Sequence, residues 1–254
     1  MSNIKISLVI LTYNDEKSIG RCIQSVPFAS DVLVLDSGST DRTVQIARQL
    51  GARVMVESWR GFFKQKVRAT ALALNDWVLF LDAGEALSSE LADEMKKLVD
   101  SDFTKVSAYE IPRLSFYMGR WIRHGGWYPS YHTRFFQRKQ VQWVEAWPYE
   151  KIEAANTKRL QFPIHYWGYD SIEAHISALN RRTSEQVSGD ESNQLARVSV
   201  LGLIWGVASE FVSSYWRKGG FREGFPGLVV AMMTAFSFFI LRAKSWERKH
   251  VKKS

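Results

Sequence analysis

Three apolar runs, SLVIL at residues 7–11, DVLVLD at 31–36 and WVLFLD at 77–82, each lead into a loop that carries carboxylates: TYNDE, DSGSTD and DAGE. Continuous Val, Ile and Leu without polar alternation is the pattern of strands buried on both faces, as parallel strands are. Between the runs, spacing and capping residues predict helices over 16–25, 43–50 and 62–74 and a short strand at 53–56, so strand and helix alternate from the start. In open α/β sheets ligands bind beyond the carboxyl ends of the strands. The same pattern that predicts the fold therefore predicts where three acidic loops meet.

Beyond a helix expected at 88–99 the character of the chain changes. Residues 107–165 are rich in aromatic and basic groups, with strand-like pieces and Gly-Gly and Pro turns in place of helical spacing. We read them as an irregular half that covers the sheet edge. Helices are expected again over 171–187, 192–216 and 227–248, with GGFREGFPG as the break between the last two. The expected organisation is 1–100 for a ligand-binding half, 101–170 for a second half and 171–254 for a helical region.

With 254 residues, 46% hydrophobic, the chain has material for one large domain or a domain with an appendage, and long disorder is excluded. Its single cysteine, Cys22, allows no internal disulfide. No charged-then-apolar leader is read at Met1, so the expected setting is the cytosol or the cytosolic face of a membrane. A net charge of +8 predicts an anionic partner. Much of that charge sits in Arg242, Lys244, Arg248, Lys249, Lys252 and Lys253, just after the apolar run at 228–241. An apolar run followed by a basic cluster predicts contact with an anionic membrane surface rather than with nucleic acid. The run is shorter than the roughly 20 residues that cross a bilayer, so it is expected to lie in the interface.

The ordered segments TYNDE, DSGSTD and LDAGE resemble family-2 glycosyltransferases of the GT-A fold. RGFFKQK near residue 60, GGWYPSYHTRFFQR at 125–138, PYEKI, IHYWGYDS at 164–171 and GFREGFPG extend the likeness. They look like the subgroup of β-glucosyltransferases that builds the lipopolysaccharide core. The resemblance implies an α/β fold, a GT-A type nucleotide-sugar-binding domain with a mainly parallel sheet, followed by a C-terminal helical, membrane-associating segment. It implies inverting transfer of a hexose, glucose in the subgroup, from a UDP-sugar donor to a lipid-linked or lipopolysaccharide-core acceptor, at the inner face of the cytoplasmic membrane.

The resemblance also assigns residues. Thr12, Tyr13 and Asn14 with Asp36 are the implied contacts to base and ribose, and Lys66 on the helix after Gly61 can meet the diphosphate. Asp82 is the implied ligand of a divalent cation, Mg²⁺ or Mn²⁺, which takes oxygen ligands and stabilises charge on the departing nucleotide. The family pattern Asp-Ala-Asp-Glu here reads Asp82-Ala83-Gly84-Glu85. Gly84 has no ligating side chain, leaving Glu85 or water to complete the shell. Glu150 is the implied general base, with Glu145 as the alternative. Trp127 can stack on a sugar face and Arg134 can pair with phosphate. Against these stand ordinary roles: Asp36 and Asp41 as turn and helix caps, and the tryptophans as core. Gly84 also leaves open a catalytically degenerate glycan- or lipid-binding relative. A nucleotidyltransferase is disfavoured, because TYNDE is not a Gly-rich phosphate loop.

Overall fold

A computed structural model describes residues 5–99, 106–145, 150–189 and 199–251. The chain divides into two units, one formed by Met1–Arg113 and Ser130–Tyr166, the other by Leu114–Pro129 and Trp167–Ser254. The regions expected at 1–100 and 101–170 thus fall largely in one unit, from which 114–129 is set apart.

The first unit is built on strands β1 (Ile6–Thr12), β2 (Asp31–Asp36), β3 (Arg53–Val56) and β4 (Trp77–Asp82), with helices α1 (Ile19–Gln24), α2 (Thr43–Gln49) and α3 (Phe62–Leu72) between them. The strands lie in the order β3-β2-β1-β4 and all pair parallel. Every residue of β1 is buried, as its unbroken apolar run predicts. Its side chains alternate between two cores. Ile6, Leu8 and Ile10 pack with Ile19, Cys22 and Ile23 of α1, whereas Val9 and Leu11 pack with Ala69 of α3 and Phe80 of β4.

The sheet as a whole is mixed, because beyond these parallel strands it turns antiparallel. β8 (Ser130–Gln137) pairs antiparallel with β4 and with β6 (Ala108–Tyr117), and β12 (Ile164–Tyr166) with β5 (Glu85–Leu87). β11 (Thr157–Arg159) runs parallel to β6, and β9 (Val141–Val144) and β10 (Lys151–Ala154) form a separate hairpin. Helix α4 (Ser89–Val99) follows β5, and Leu91 and Met95 enter the core.

In the second unit, residues 115–117 of β6 pair with β7 (Arg120–Ile122). Its helices are α5 (Ile172–Gly189), α6 (Val200–Val212) and α7 (Phe225–His250), with a π-helical turn Ser213–Arg217 and a 3₁₀ turn Gly220–Glu223 between α6 and α7. Residues 192–198 of the expected helix at 192–216 lie outside the described residues, and its end is the π turn. Helix α7 is longer than expected: with 26 residues it is long and apolar enough to cross a membrane, whereas the apolar run by itself is not.

Candidate active site

The register of three neighbouring strands brings the acidic loops together. Thr12 on β1 stands opposite Asp36 on β2, and Leu11 stands opposite Asp82 on β4. Two of the loops are knitted to each other. Asn14 adopts a φ of 56°, a left-handed conformation that Asn tolerates, and its Oδ1 accepts the Thr40 backbone N–H at 2.8 Å while its own N–H reaches the Ser39 hydroxyl at 2.8 Å. Asp15 accepts from the Thr12 hydroxyl at 2.9 Å and from the Tyr13 N–H at 3.1 Å, and burial raises its pKa above the usual carboxylate value. Tyr13 is left 59% exposed, a phenol ring free for stacking at the mouth of the loop.

Asp36 is fully buried, and its carboxylate accepts the N–H groups of Gly38 at 2.9 Å and Ser39 at 2.8 Å as well as the Ser39 hydroxyl. It therefore shapes the DSGST turn, in which Gly38 takes a φ of 94°. Asp41 likewise acts within its loop, accepting from the Thr43 N–H at 3.0 Å and the Glu16 N–H at 3.1 Å.

At the end of β4, Arg134 of β8 bridges two carboxylates. Its Nη2 lies 3.0 Å from Asp82 Oδ2 and 2.8 Å from Glu85 Oε1, and it is 7% exposed. Burial disfavours charge on Asp82, but Arg134, Lys66 and Arg113 together outweigh it and hold the Asp82 pKa down at about 2. Since that value lies below the ordinary 3.8, the pairing stabilises the fold above roughly pH 4 and is lost as pH falls through 2. The side chain of Asp82 remains 38% exposed, and its Oδ1 accepts no hydrogen bond from any described residue.

Glu85 differs. Its side chain is wholly buried, Oε2 accepts the Asp82 backbone N–H at 3.0 Å, and Oε1 is shared between Arg134 and, at 3.7 Å, Arg113. Burial raises its pKa. Expected above as a metal ligand, Glu85 instead has both oxygens committed inside the protein. Arg134 is thereby a structural partner of this pair before it is a phosphate ligand. Among the described residues no three His, Cys, Asp or Glu side chains are grouped to hold a metal. What fits the open Asp82 oxygen is a hard cation that takes one carboxylate and fills its shell with water and substrate phosphate oxygens.

Arg134 also gives a test of the packing. Arg134→Met leaves Glu85 buried without its closest counter-charge, and such breakage costs about 3–5 kcal/mol. Thermal unfolding is expected to show a clear loss of Tm, and an unchanged Tm would contradict the ion-pair assignment.

Glu150 precedes β10, and its partner is Lys66 of α3, whose ammonium contacts Glu150 Oε1. The hairpin reaches α3 through Trp143, whose indole donates to the Thr70 hydroxyl at 3.2 Å and packs against Phe80. Two expected site residues thus meet each other. Glu145 is exposed. Residues 146–149, which include Trp147 and Tyr149, lie outside the described residues. His132 on β8 accepts or donates to Ser130 at 3.0 Å, and burial together with Arg134 and Arg113 pushes its pKa down to about 3, so it is neutral near pH 7.

Trp127 belongs to the second unit, where its ring lies 5.4 Å from Tyr117 and 5.6 Å from His175 in an aromatic cluster with Tyr169. Expected on a sugar face, it is partly buried core. Asp15 is the site residue that sequence reasoning passed over, and Arg113 is a cation whose partner the sequence does not show. The Arg113 guanidinium lies 4.6 Å from the Tyr166 ring and beside Glu85, a placement that only the β6–β8–β4 pairing creates.

Comparison with known proteins places this geometry in context. The family described as Glycosyl transferase family 2 matches residues 7–152. An uncharacterized glycosyltransferase of Rickettsia felis is 33% identical, over 94% of this chain and 89% of its own length. The lipopolysaccharide core biosynthesis glycosyltransferase LpsC of Rhizobium meliloti is 24% identical, covering 98% of this chain and 94% of the relative. The crystal structure of Mycobacterium tuberculosis glucosyl-3-phosphoglycerate synthase, in complex with Mn²⁺, UDP and glucosyl-3-phosphoglycerate, matches 46% of each chain at 26% identity with a TM-score of 0.36.

Proposed function

Proceeding from the fact that the chain belongs to glycosyl transferase family 2, we propose that it transfers a hexose, glucose by preference, from a UDP-sugar to a lipid-linked bacterial glycan such as lipopolysaccharide core, with inversion at the anomeric carbon. The observation that carries this reading is the meeting of Thr12, Asp36 and Asp82 at the carboxyl ends of β1, β2 and β4, with the Lys66–Glu150 pair drawn to the same group of charges.

Tyr13 stacks on the base, and the turn held by Asp36 receives the ribose. Lys66 turns to the donor diphosphate. Asp82 Oδ1 would hold a divalent cation, which would offset charge building on the diphosphate. Glu150 is the general base. The acceptor oxygen bonds to the anomeric carbon from the face opposite the nucleotide, its proton passes to Glu150, and the carbon–oxygen bond to the diphosphate breaks with its electron pair leaving on UDP. Arg134 and Arg113 keep the Asp82 carboxylate ionised throughout. The acceptor is held at the inner face of the cytoplasmic membrane, a placement supported by the apolar C-terminal helix and the basic tail.

Incubation of the purified protein with UDP-sugars, Mg²⁺ or Mn²⁺ and a core oligosaccharide acceptor is expected to release UDP, fastest with UDP-glucose. Release from no donor would overturn the substrate assignment. Faster turnover of another sugar nucleotide would overturn the choice of glucose.

A further inference from the structure

Helix α7 could cross a bilayer by length and composition, yet both its ends are tied to polar partners of its own unit. Just before it, Glu223, 2% exposed, pairs with Arg120 at 3.0 Å, with His124 Nδ1 at 2.7 Å and with the Arg123 N–H at 2.9 Å. Near its other end Lys244 donates to the Asn180 carbonyl at 2.7 Å and the Thr183 hydroxyl at 2.9 Å on α5, and Arg248 donates to the Val187 carbonyl. Carrying either network through hydrocarbon would strip charged and polar groups of water. Both ends therefore stay on one aqueous side.

The apolar surface lies elsewhere. Helix α6 buries none of its residues, and Val200, Leu201, Ile204 and Trp205 are between 62% and 80% exposed. On α7 the exposed Phe225, Met232, Phe236, Phe239 and Trp246 follow one another by 7, 4, 3 and 7 residues, which keeps them on one face. The two helices approach closely where Gly206 meets Phe238: a Cβ at Gly206 would sit 2.5 Å from the ring. A small residue at the contact is the way helices pack in lipid. With 13 residues α6 is about 20 Å long, short of the roughly 30 Å of a hydrocarbon core.

We propose that α6 and the exposed stripe of α7 form a hairpin that lies in the plane of one leaflet of an anionic bilayer, with no segment crossing it. The turn between the helices supports lipid over a second copy of the chain as the occupant. There the exposed Trp216, Phe221 and Phe225 alternate with exposed Arg217, Lys218 and Arg222. Such a mixture of aromatic and basic residues suits the headgroup level of an anionic leaflet, whereas a second copy would bring like charge against it. This deepens the membrane placement proposed above and is independent of the transfer chemistry.

Flotation of the full chain with vesicles tests it. Phosphatidylcholine containing phosphatidylglycerol is expected to carry the protein upward, and pure phosphatidylcholine much less. The double variant Leu201→Glu/Trp205→Glu, at positions that contribute nothing to the core, is expected to bind the anionic vesicles about tenfold or more weakly while binding UDP-sugar as before. Undiminished flotation of the double variant overturns the proposal, as does a dimer in lipid-free buffer that the double variant dissolves while flotation persists. A fluorescent label on Trp205→Cys in a Cys22→Ser background gives the depth. Quenching strongest from lipids brominated near the headgroup supports an in-plane hairpin, and quenching strongest from chain-end bromine overturns it. If no donor is ever turned over, these outcomes are unaffected, so the two readings fail separately.

Discussion

Asp82→Ala is expected to reduce UDP release by about 10²–10³-fold. Electrostatic groups aimed at developing charge contribute roughly 3–4 kcal/mol to such steps, and each 1.36 kcal/mol is tenfold in rate. Asp82 is singular here because Gly84 supplies no side chain and Glu85 has both oxygens engaged, so no neighbouring carboxylate can replace it. The loss is expected to appear in kcat and in the concentration of Mg²⁺ or Mn²⁺ needed for half-maximal rate, read by titrating the ion against each variant. Stability should change little. Arg134 keeps Glu85 as a partner, and the lost Asp82 pair is partly exposed. Asp82→Asn, the same shape without the charge, separates charge from packing: activity near that of the native chain would overturn the cation-holding role. Because the Asp82 pKa is held down at about 2, no acidic limb from this group is expected in the rate profile above pH 4.

How much of this could be read beforehand follows from which interactions are local. The strands at 6–12, 31–36, 53–56 and 77–82 were legible because a strand buried on both faces writes a continuous apolar run, and their parallel order follows from alternation with helices. Asp82 at a strand end was legible for the same reason. The partners of Glu85 were not. Gly84 suggested that Glu85 fills a vacancy beside Asp82, but its burial and its bond to the Asp82 N–H arise from the tight turn between β4 and β5, and Arg134 arrives from a strand some 50 residues on. Antiparallel register between distant strands leaves no periodic mark in sequence, so Arg134 was visible as a cation and invisible as a clamp. Trp127 shows the converse. An aromatic in a basic, glycine-bearing loop has the composition of a sugar platform, and only packing against Tyr117 and His175 reveals it as core. Helix α7 was legible to within two residues at each end, but its length as a possible span was not, because the apolar run ends at residue 241 whereas the helix continues to His250.

Glu150→Gln is expected to lower kcat by about 10²–10⁴-fold, the usual contribution of a positioned general base. The Lys66 contact shapes the whole pattern of variants. A carboxylate whose oxygen is held by an ammonium is poorly placed to accept a proton, so the pair must open before the acceptor is deprotonated. The donor diphosphate offers Lys66 a competing anion of higher charge. Binding of the sugar nucleotide should therefore release Glu150 as it engages Lys66, and product-inhibition patterns should show donor binding before acceptor. Lys66→Met removes both functions of the ammonium at once: donor affinity falls, and the dependence on binding order disappears because Glu150 is no longer held. Lys66→Arg restores the charge and is expected to recover the order. If Glu150→Gln turns over at the native rate, the base lies elsewhere, with the exposed Glu145 next to be tested. If Lys66→Met keeps strict donor-first order, the ion pair is a feature of the resting protein that catalysis does not use.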